Sequence, residues 1–164
     1  MILAGKILAQ AGVDEGLQVT WLPSYGPEMR GGTANCTVVL SDEPIGSPVV
    51  DNPTALVTMN LPSLDRFEKT VAESGTILIN SSLITRPIQR DDVQVFRVPA
   101  NDIAVSLGSS HAANMVALGA IIKATGIISL ESIRNAMASM LSHKDSSNIT
   151  AVNRQALDAG YSAV

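Results

Sequence analysis

The apolar residues at the start of the chain recur at the spacing of one face of an α-helix. They are Leu3, Ile7, Leu8 and Ala11. This spacing predicts a helix that begins at residue 2, and Gly12 and Gly16 offer positions where it can end. Apolar and polar residues then alternate over residues 17–21 and again over residues 36–41. The alternation predicts two short strands, the first of which ends at Pro23.

The middle of the chain carries a strand–helix–strand pattern. Residues 55–59 form an apolar run, Ser63 can cap a helix that runs to about Ser74, and residues 76–79 form a second apolar run. Because the links between these segments are short, they predict a βαβ crossover and therefore parallel strands. Residues 93–98 alternate as a further strand.

The last third of the chain is predicted to be helical. The expected helices cover residues 111–125, 130–141 and 149–159. Ser129 can cap the second of them, Asn148 can cap the third, and Gly160 can end it. Together the patterns predict the α/β class, with one three-layer α/β/α domain over residues 1–164. Its sheet is expected to be mixed, largely parallel and Rossmann-like.

Composition and charge narrow the classes of function. Apolar residues make up 46% of the 164 residues and charged residues 16%, which predicts a large buried interior and excludes intrinsic disorder. Aromatic residues make up only 3%, so recognition by stacking on bases or sugars is not expected. With 11 basic and 15 acidic residues the net charge is -4, which disfavours nonspecific binding to nucleic acid or to an anionic membrane.

The counts of metal-binding residue types are low. Cys36 is the single cysteine, so this chain alone can build neither an internal disulfide nor a thiolate-held iron–sulfur cluster. His111 and His143 have no ligand spacing, and no metal site is expected. A lone cysteine fits a reducing cytoplasm, and no apolar stretch is long enough to span a membrane. We therefore expect a cytoplasmic protein.

The segment SYGPEMRGGT at residues 24–33 has the composition of a binding loop. Its glycines lie on both sides of Glu28 and Arg30 and let backbone N–H groups approach a ligand closely. Arg30 offers a planar fork for a phosphate or a carboxylate. The alternative is a loop that connects two strands, needs glycine for its turns and leaves Arg30 in solvent.

Three further side chains could have either a functional or a structural role. Lys6 lies in the early turns of the first helix, where it either adds positive charge beside an anion or is a surface lysine. Cys36 shares its alternating face with Val38 and Leu40, which favours a small buried hydrophobe over a nucleophile. His111 lies at a helix start, where a capping or interface role is favoured over a general base.

Motifs for nucleotide binding and catalysis are missing. In doubly wound folds a first strand leads through a glycine-rich turn into the first helix, whose N-terminus receives phosphate. Here the first helix begins at residue 2 with no strand or turn before it, so this region is either shortened or built differently. The sequence contains no P-loop, no complete GxGxxG, no GxSxG and no GDG followed by NN. The residues therefore predict a domain that binds an anion and has no complete catalytic apparatus.

A longer segment resembles a known family. Residues 21–48 read WLPSYGPEMRGGTANCTVVLSDEPIGSP, which resembles the gamma subunit of the pyruvate, 2-oxoglutarate and 2-ketoisovalerate:ferredoxin oxidoreductases. The resemblance covers nearly the whole chain and extends through further segments at residues 59–60, 80–82, 114–120 and 153–160. Family members usually begin with a strand and a GxGGQG turn, and this sequence starts after that turn.

The resemblance implies a subunit that is inactive alone. These enzymes convert a 2-oxoacid, coenzyme A and oxidised ferredoxin into acyl-CoA, CO2 and reduced ferredoxin. Thiamine diphosphate with magnesium would be held by alpha and beta subunits, and iron–sulfur clusters by beta and delta subunits. This chain would hold no cofactor, contact ferredoxin only indirectly and self-associate when isolated. The form of the loop favours 2-oxoglutarate or a branched-chain 2-oxoacid, with pyruvate as a further candidate.

The resemblance also implies roles for individual residues, none of them catalytic and none of them a metal ligand. The candidates for binding coenzyme A are Lys6, Arg30, Gly31, Gly32 and Thr33. The candidates for a loop that faces the thiamine-bearing subunits are Tyr25, Gly26, Pro27, Glu28 and Met29. If the missing turn is absent from the protein itself, phosphate or pantetheine binding by this chain is weakened; if the protein contains that turn before residue 1, the site stands.

Three other interpretations stay open at this point. The chain could be the related subunit of an indolepyruvate oxidoreductase, where aromatic 2-oxoacids are the substrates. It could be a stand-alone anion- or nucleotide-binding α/β domain, which would work without partners. It could also be a purely structural partner domain that touches no ligand.

Overall fold

A computed structural model describes residues 1–26, 34–141 and 147–164 of the chain. Its helices and strands, in chain order, are α1 (Ile2–Asp14), β1 (Gln18–Tyr25), β2 (Ala34–Ser41), β3 (Ala55–Thr58), α2 (Leu61–Phe67), β4 (Thr76–Asn80), β5 (Gln94–Val98), α3 (Ala100–Ser106), α4 (Ala113–Thr125), α5 (Leu130–Leu141) and α6 (Ser147–Ser162). Short 3-10 turns cover Glu68–Thr70 and Ser110–Ala112. The predicted α/β class is confirmed. None of the described helices is long and apolar enough to cross a lipid bilayer.

The described residues divide into two compact units, and each holds one sheet. The first unit contains α1, α5 and the antiparallel pair β1–β2, and the second contains the remaining elements. The predicted parallel strands are therefore found in the second unit, while the strands on either side of the predicted binding loop form a separate antiparallel sheet. The single domain over residues 1–164 stays a prediction.

The first unit is a hairpin with α1 on one face. Strands β1 and β2 pair from Gln18↔Ser41 to Tyr25↔Ala34. Strand β1 continues through Pro23 to Tyr25, so the predicted end at Pro23 is wrong. Each strand of a two-stranded sheet has an outer edge that makes no hydrogen bonds to another strand. Proline is tolerated on that edge because no ladder hydrogen bond needs its missing N–H. Helix α5 begins as predicted, with Ser129 Oγ accepting a hydrogen bond from Ser132 N at 3.0 Å.

The second unit is built on three parallel strands in the order β3–β4–β5. The βαβ crossover expected from the apolar runs is confirmed, and every residue of the central strand β4 is buried. The apolar cluster beneath the crossover consists of Leu64, Val71, Ile77, Ile79 and Ile84. Helix α3 follows β5 directly, although no helix was predicted at that place.

The crossover helix differs from its prediction at both ends. Asn60, not Ser63, is the cap, because its side chain accepts a hydrogen bond from Ser63 N at 3.0 Å. The helix ends at Phe67, short of the predicted Ser74, since Ala72 N donates to Pro53 O and leaves the helical ladder. Ser74 itself has a φ of 60°, which a right-handed helix does not contain.

Glycine at two positions lets α4 and α6 approach each other with almost no gap. A Cβ on Gly119 would lie 2.0 Å from the carbonyl oxygen of Leu157, and one on Gly160 would lie 1.9 Å from the carbonyl oxygen of Val116. Gly160 is therefore part of a helix–helix contact and does not end the helix as predicted, because α6 continues to Ser162. The local sequence alone does not distinguish a helix-ending glycine from a packing glycine.

A buried ion pair holds the connection between β4 and β5. Glu68 is only 4% exposed and accepts hydrogen bonds from Arg86 Nη2 at 2.6 Å and from Gln89 N at 2.5 Å. Arg90, which lies on the same connection, donates hydrogen bonds to the carbonyl oxygens of Glu68 and Val71. Burial by itself would raise the pKa of Glu68, but the hydrogen bonds from Arg86 and Gln89 outweigh it and lower the pKa below its usual value.

We expect Gly160→Ala to lower the free energy of unfolding by more than about 2 kcal/mol, because the added methyl group must push backbone away from backbone. Gly46→Ala is the matched control, since an added Cβ at Gly46 meets no atom within 4 Å. Urea unfolding of both variants measures the difference. Equal stabilities for the two variants would contradict the close contact of α4 with α6.

We expect the ionised form of Glu68 to stabilise the fold. A carboxyl whose pKa is lowered by folding contributes stability above its ordinary pKa of about 4.3, and that stability is lost as the pH falls through the folded-state value. The wild-type protein should therefore lose stability more steeply than Glu68→Gln between about pH 5 and pH 3. Urea unfolding across this range makes the comparison, with the exposed Glu43→Gln as control. Parallel curves for wild type and Glu68→Gln would refute the role.

Candidate functional site

The early turns of α1 lie directly on the hairpin. A Cβ on Gly5 would lie 2.4 Å from Cys36 Sγ and 3.4 Å from Trp21 Nε1. Toward the other end of the helix, a Cβ on Gly12 would lie 2.5 Å from a terminal carbon of Leu40. Since Cys36 is closer than Leu40 to the tip of the hairpin, the N-terminal end of α1 lies on the tip side.

The N-terminal end of a helix carries a partial positive charge, and Lys6 adds a full one beside it. Lys6 is exposed and follows Gly5 directly, so its backbone lies beside the Gly5 contact. A helix N-terminus and an ammonium group both favour anionic ligands. The early part of α1 therefore suits the binding of a phosphate or a carboxylate.

Tyr25 and Gly26 mark where the predicted binding loop leaves the hairpin. Tyr25 is the last residue of β1, pairs with Ala34 and is 66% exposed, while Gly26 is half-buried. The structure thus places Lys6 and Tyr25 in the same unit. The other predicted loop residues lie outside the described part of the chain. They are Pro27, Glu28, Met29, Arg30, Gly31, Gly32 and Thr33.

Cys36 packs under α1. Its thiol is half-buried and lies 3.9 Å from the carbonyl oxygen of Met1, and burial raises its pKa. A raised pKa keeps the thiol protonated and poorly nucleophilic near neutral pH. This environment agrees with the predicted role of a small buried hydrophobe.

His111 lies in the 3-10 turn Ser110–Ala112 and is exposed. That turn has no side-chain cap, so the expected capping role is not seen there, and an interface role stays a prediction. Among the residues that the structure describes, no three His, Cys, Asp or Glu side chains come together in a way that could hold a metal ion.

Asn80 lies at the carboxyl end of the parallel sheet, in one of the segments that resemble the family, but the sequence analysis gave it no role. Asn80 is fully buried, and its Nδ2 donates to Met59 O at 3.3 Å and to Asn101 Oδ1 at 2.7 Å. Its Oδ1 accepts a hydrogen bond from Ala100 N at 3.1 Å. One amide thus ties the ends of the three strands together. The only signal in the sequence is a polar residue that directly follows an apolar run.

Residues 1–163 match the family described as pyruvate ferredoxin/flavodoxin oxidoreductase. The chain is 44% identical over 158 residues to the ketoisovalerate oxidoreductase subunit VorA of Methanothermobacter thermautotrophicus, covering 95% of this chain and 32% of VorA. It thus spans about a third of the length of that relative. It is 36% identical over 140 residues to the 2-oxoglutarate synthase subunit KorC of Methanocaldococcus jannaschii, covering 84% of this chain and 75% of KorC.

Solved structures share the fold. The gamma subunit of a keto/oxoacid ferredoxin oxidoreductase from Geobacter sulfurreducens matches with a TM-score of 0.80 at 31% identity, over 99% of this chain and 89% of that one. A 2-oxoglutarate:ferredoxin oxidoreductase from Magnetococcus marinus matches with a TM-score of 0.88 at 21% identity, over 98% of this chain and 28% of that one. That structure contains bound 2-oxoglutarate, coenzyme A and succinyl-CoA, and at this identity the match shows the fold alone.

Proposed function

Because the chain belongs to the pyruvate ferredoxin/flavodoxin oxidoreductase family, we propose that it acts as the gamma subunit, or gamma-type part, of a 2-oxoacid:ferredoxin oxidoreductase. The enzyme oxidatively decarboxylates a 2-oxoacid to an acyl-CoA and reduces ferredoxin. The observation that carries the proposal is the similarity to KorC, at 36% identity over three-quarters of that subunit. The fold shared with a gamma subunit supports it.

Partner subunits supply the redox and decarboxylation chemistry in this proposal. An iron–sulfur cluster is commonly held by four thiolates, whereas this chain has only Cys36, and that thiol is half-buried. The residues therefore do not fit such a cluster, and the sequence lacks a thiamine diphosphate motif as well. Thiamine diphosphate, magnesium and the clusters are accordingly assigned to alpha, beta and delta subunits. The chain by itself is expected to be inactive.

A branched-chain 2-oxoacid is the favoured substrate. The identity is 44% with the ketoisovalerate subunit VorA, 36% with the 2-oxoglutarate subunit KorC and 28% with the pyruvate synthase subunit PorC of Thermotoga maritima. This order supports ketoisovalerate or a similar acid ahead of 2-oxoglutarate, and pyruvate last. It refines the choice between 2-oxoglutarate and branched-chain acids that the sequence left open.

The role of this chain is to help bind coenzyme A. Its phosphates are the anions that the N-terminal end of α1 and the Lys6 ammonium favour. Arg30 in the loop that follows Tyr25 supplies a guanidinium fork for the same groups, and Gly31, Gly32 and Thr33 supply backbone N–H groups. The segment of Tyr25, Gly26, Pro27, Glu28 and Met29 faces the thiamine-bearing subunits in this proposal.

We expect Lys6→Ala and Arg30→Ala each to raise the KM for coenzyme A about tenfold in the assembled enzyme, because each removes one charge-assisted contact to phosphate. The KM for the 2-oxoacid should stay unchanged. Steady-state kinetics with ferredoxin or a viologen dye measures both constants.

Lys69→Ala is the control for these variants, since Lys69 is an exposed lysine on the second unit and its loss removes the same charge from the protein. It should leave the KM for coenzyme A at the wild-type value. If neither Lys6→Ala nor Arg30→Ala raises that KM above the control, the chain has no part in coenzyme A binding.

A further inference from the structure

The two glycines that let α1 approach the hairpin differ in what they contact. Gly5 faces Cys36 Sγ, an atom one bond from the Cβ of a residue in the paired strand β2. Gly12 faces the end of the Leu40 side chain at 2.5 Å and Val19 Cγ2 at 3.0 Å. An added methyl group at Gly12 therefore disturbs the helix–sheet contact at the end of α1 away from Lys6, whereas one at Gly5 disturbs it directly beside Lys6.

A single atom accounts for the lack of space at Gly5. Apart from Cys36 Sγ at 2.4 Å, the nearest atoms to an added Cβ at Gly5 are Trp21 Nε1 and Val38 Cγ2, both at 3.4 Å. A separation of 3.4 Å is ordinary van der Waals contact. An added methyl group at Gly5 would thus clash with the sulfur atom of Cys36 and meet the other two atoms at ordinary contact distance.

We infer that Gly5 is a positioning residue for the coenzyme A site, acting through its contact with Cys36. Gly5 immediately precedes Lys6, so a shift of this helical turn moves the backbone that carries the ammonium group. The inference rests on the proposed function, since it takes Lys6 to be a phosphate contact.

The expected consequence is specific to one substrate. A charge-assisted hydrogen bond depends on a donor–acceptor distance of about 2.7–2.9 Å, so a small displacement of Lys6 weakens it. Gly5→Ala should therefore raise the KM for coenzyme A about threefold to tenfold, while kcat and the KM for the 2-oxoacid stay near their wild-type values. A general loss of structure would lower kcat and affect both substrates.

The experiment compares four variants of this chain in the assembled enzyme. They are Gly5→Ala, Gly12→Ala, Lys6→Ala and the double variant Gly5→Ala/Cys36→Ala. Removing the sulfur leaves the new methyl group only contacts at 3.4 Å, so the double variant should recover the wild-type KM for coenzyme A. Gly12→Ala tests a helix–sheet contact at the other end of α1 and should leave that KM unchanged. If Gly5→Ala does not assemble, Cys36→Leu presses on the same turn from the sheet and is expected to raise the same KM.

The results distinguish the positioning role of Gly5 from the proposed role of Lys6 in coenzyme A binding. A raised KM in Gly5→Ala (or Cys36→Leu) that the double variant does not share supports the positioning role. If Lys6→Ala raises the KM but Gly5→Ala matches Gly12→Ala, the inference is wrong and the proposed function stands. If the Gly5→Ala effect persists in the double variant, it does not act through Cys36 and the inference is again wrong. If Lys6→Ala has no effect, the proposed role of Lys6 in coenzyme A binding is wrong and the inference is wrong with it, while Arg30→Ala still tests the role of the chain.

Discussion

The position of α1 on the β1–β2 hairpin depends on glycine at position 5, because a residue with a Cβ there would clash with the sulfur of Cys36. Protein interiors are packed so closely that one methyl group at such a point displaces an element. The close contact leaves no room for a larger residue at position 5, directly before Lys6. It also requires a small residue on the strand, which explains why Cys36 serves here as a compact apolar side chain whose burial raises the pKa of its thiol.

In the second unit, buried polar groups hold the strands and their connection in place. Its sheet has three strands in the described part of the chain, and the connection from β4 to β5 contains no helix. The Asn80 amide ties the strand ends together, and the Glu68–Arg86 pair holds the connection from β4 to β5. Buried groups of this kind are tolerated because their hydrogen bonds are made, and losing one partner would leave the other unsatisfied.

Hydrophobic periodicity predicted those elements whose burial is one-sided or complete. Helix α1, the apolar runs of β3 and β4 and the Ser129-capped α5 follow from it, since local pattern and tertiary packing agree there. The predictions at Ser74 and Gly160 are wrong because the deciding contact comes from a residue distant in sequence. The prediction at Ser63 is wrong because Asn60 is a competing cap. The same limit applies to the site, where the family resemblance singled out Lys6 and Tyr25 but no local pattern indicated the Gly5–Cys36 contact or the hydrogen bonds of Asn80.

The central claim is that this chain works as a gamma-type part of a larger oxidoreductase, and affinity purification of the full-length protein from its own cells tests it most directly. Mass spectrometry should find thiamine-binding and cluster-binding partners, or the corresponding regions of a longer chain. The eluate should reduce a viologen dye only when a 2-oxoacid and coenzyme A are both present, with ketoisovalerate among the best substrates. Recovery of a monomer or homo-oligomer that lacks those partners and reduces no dye would contradict the account and favour a stand-alone anion-binding domain.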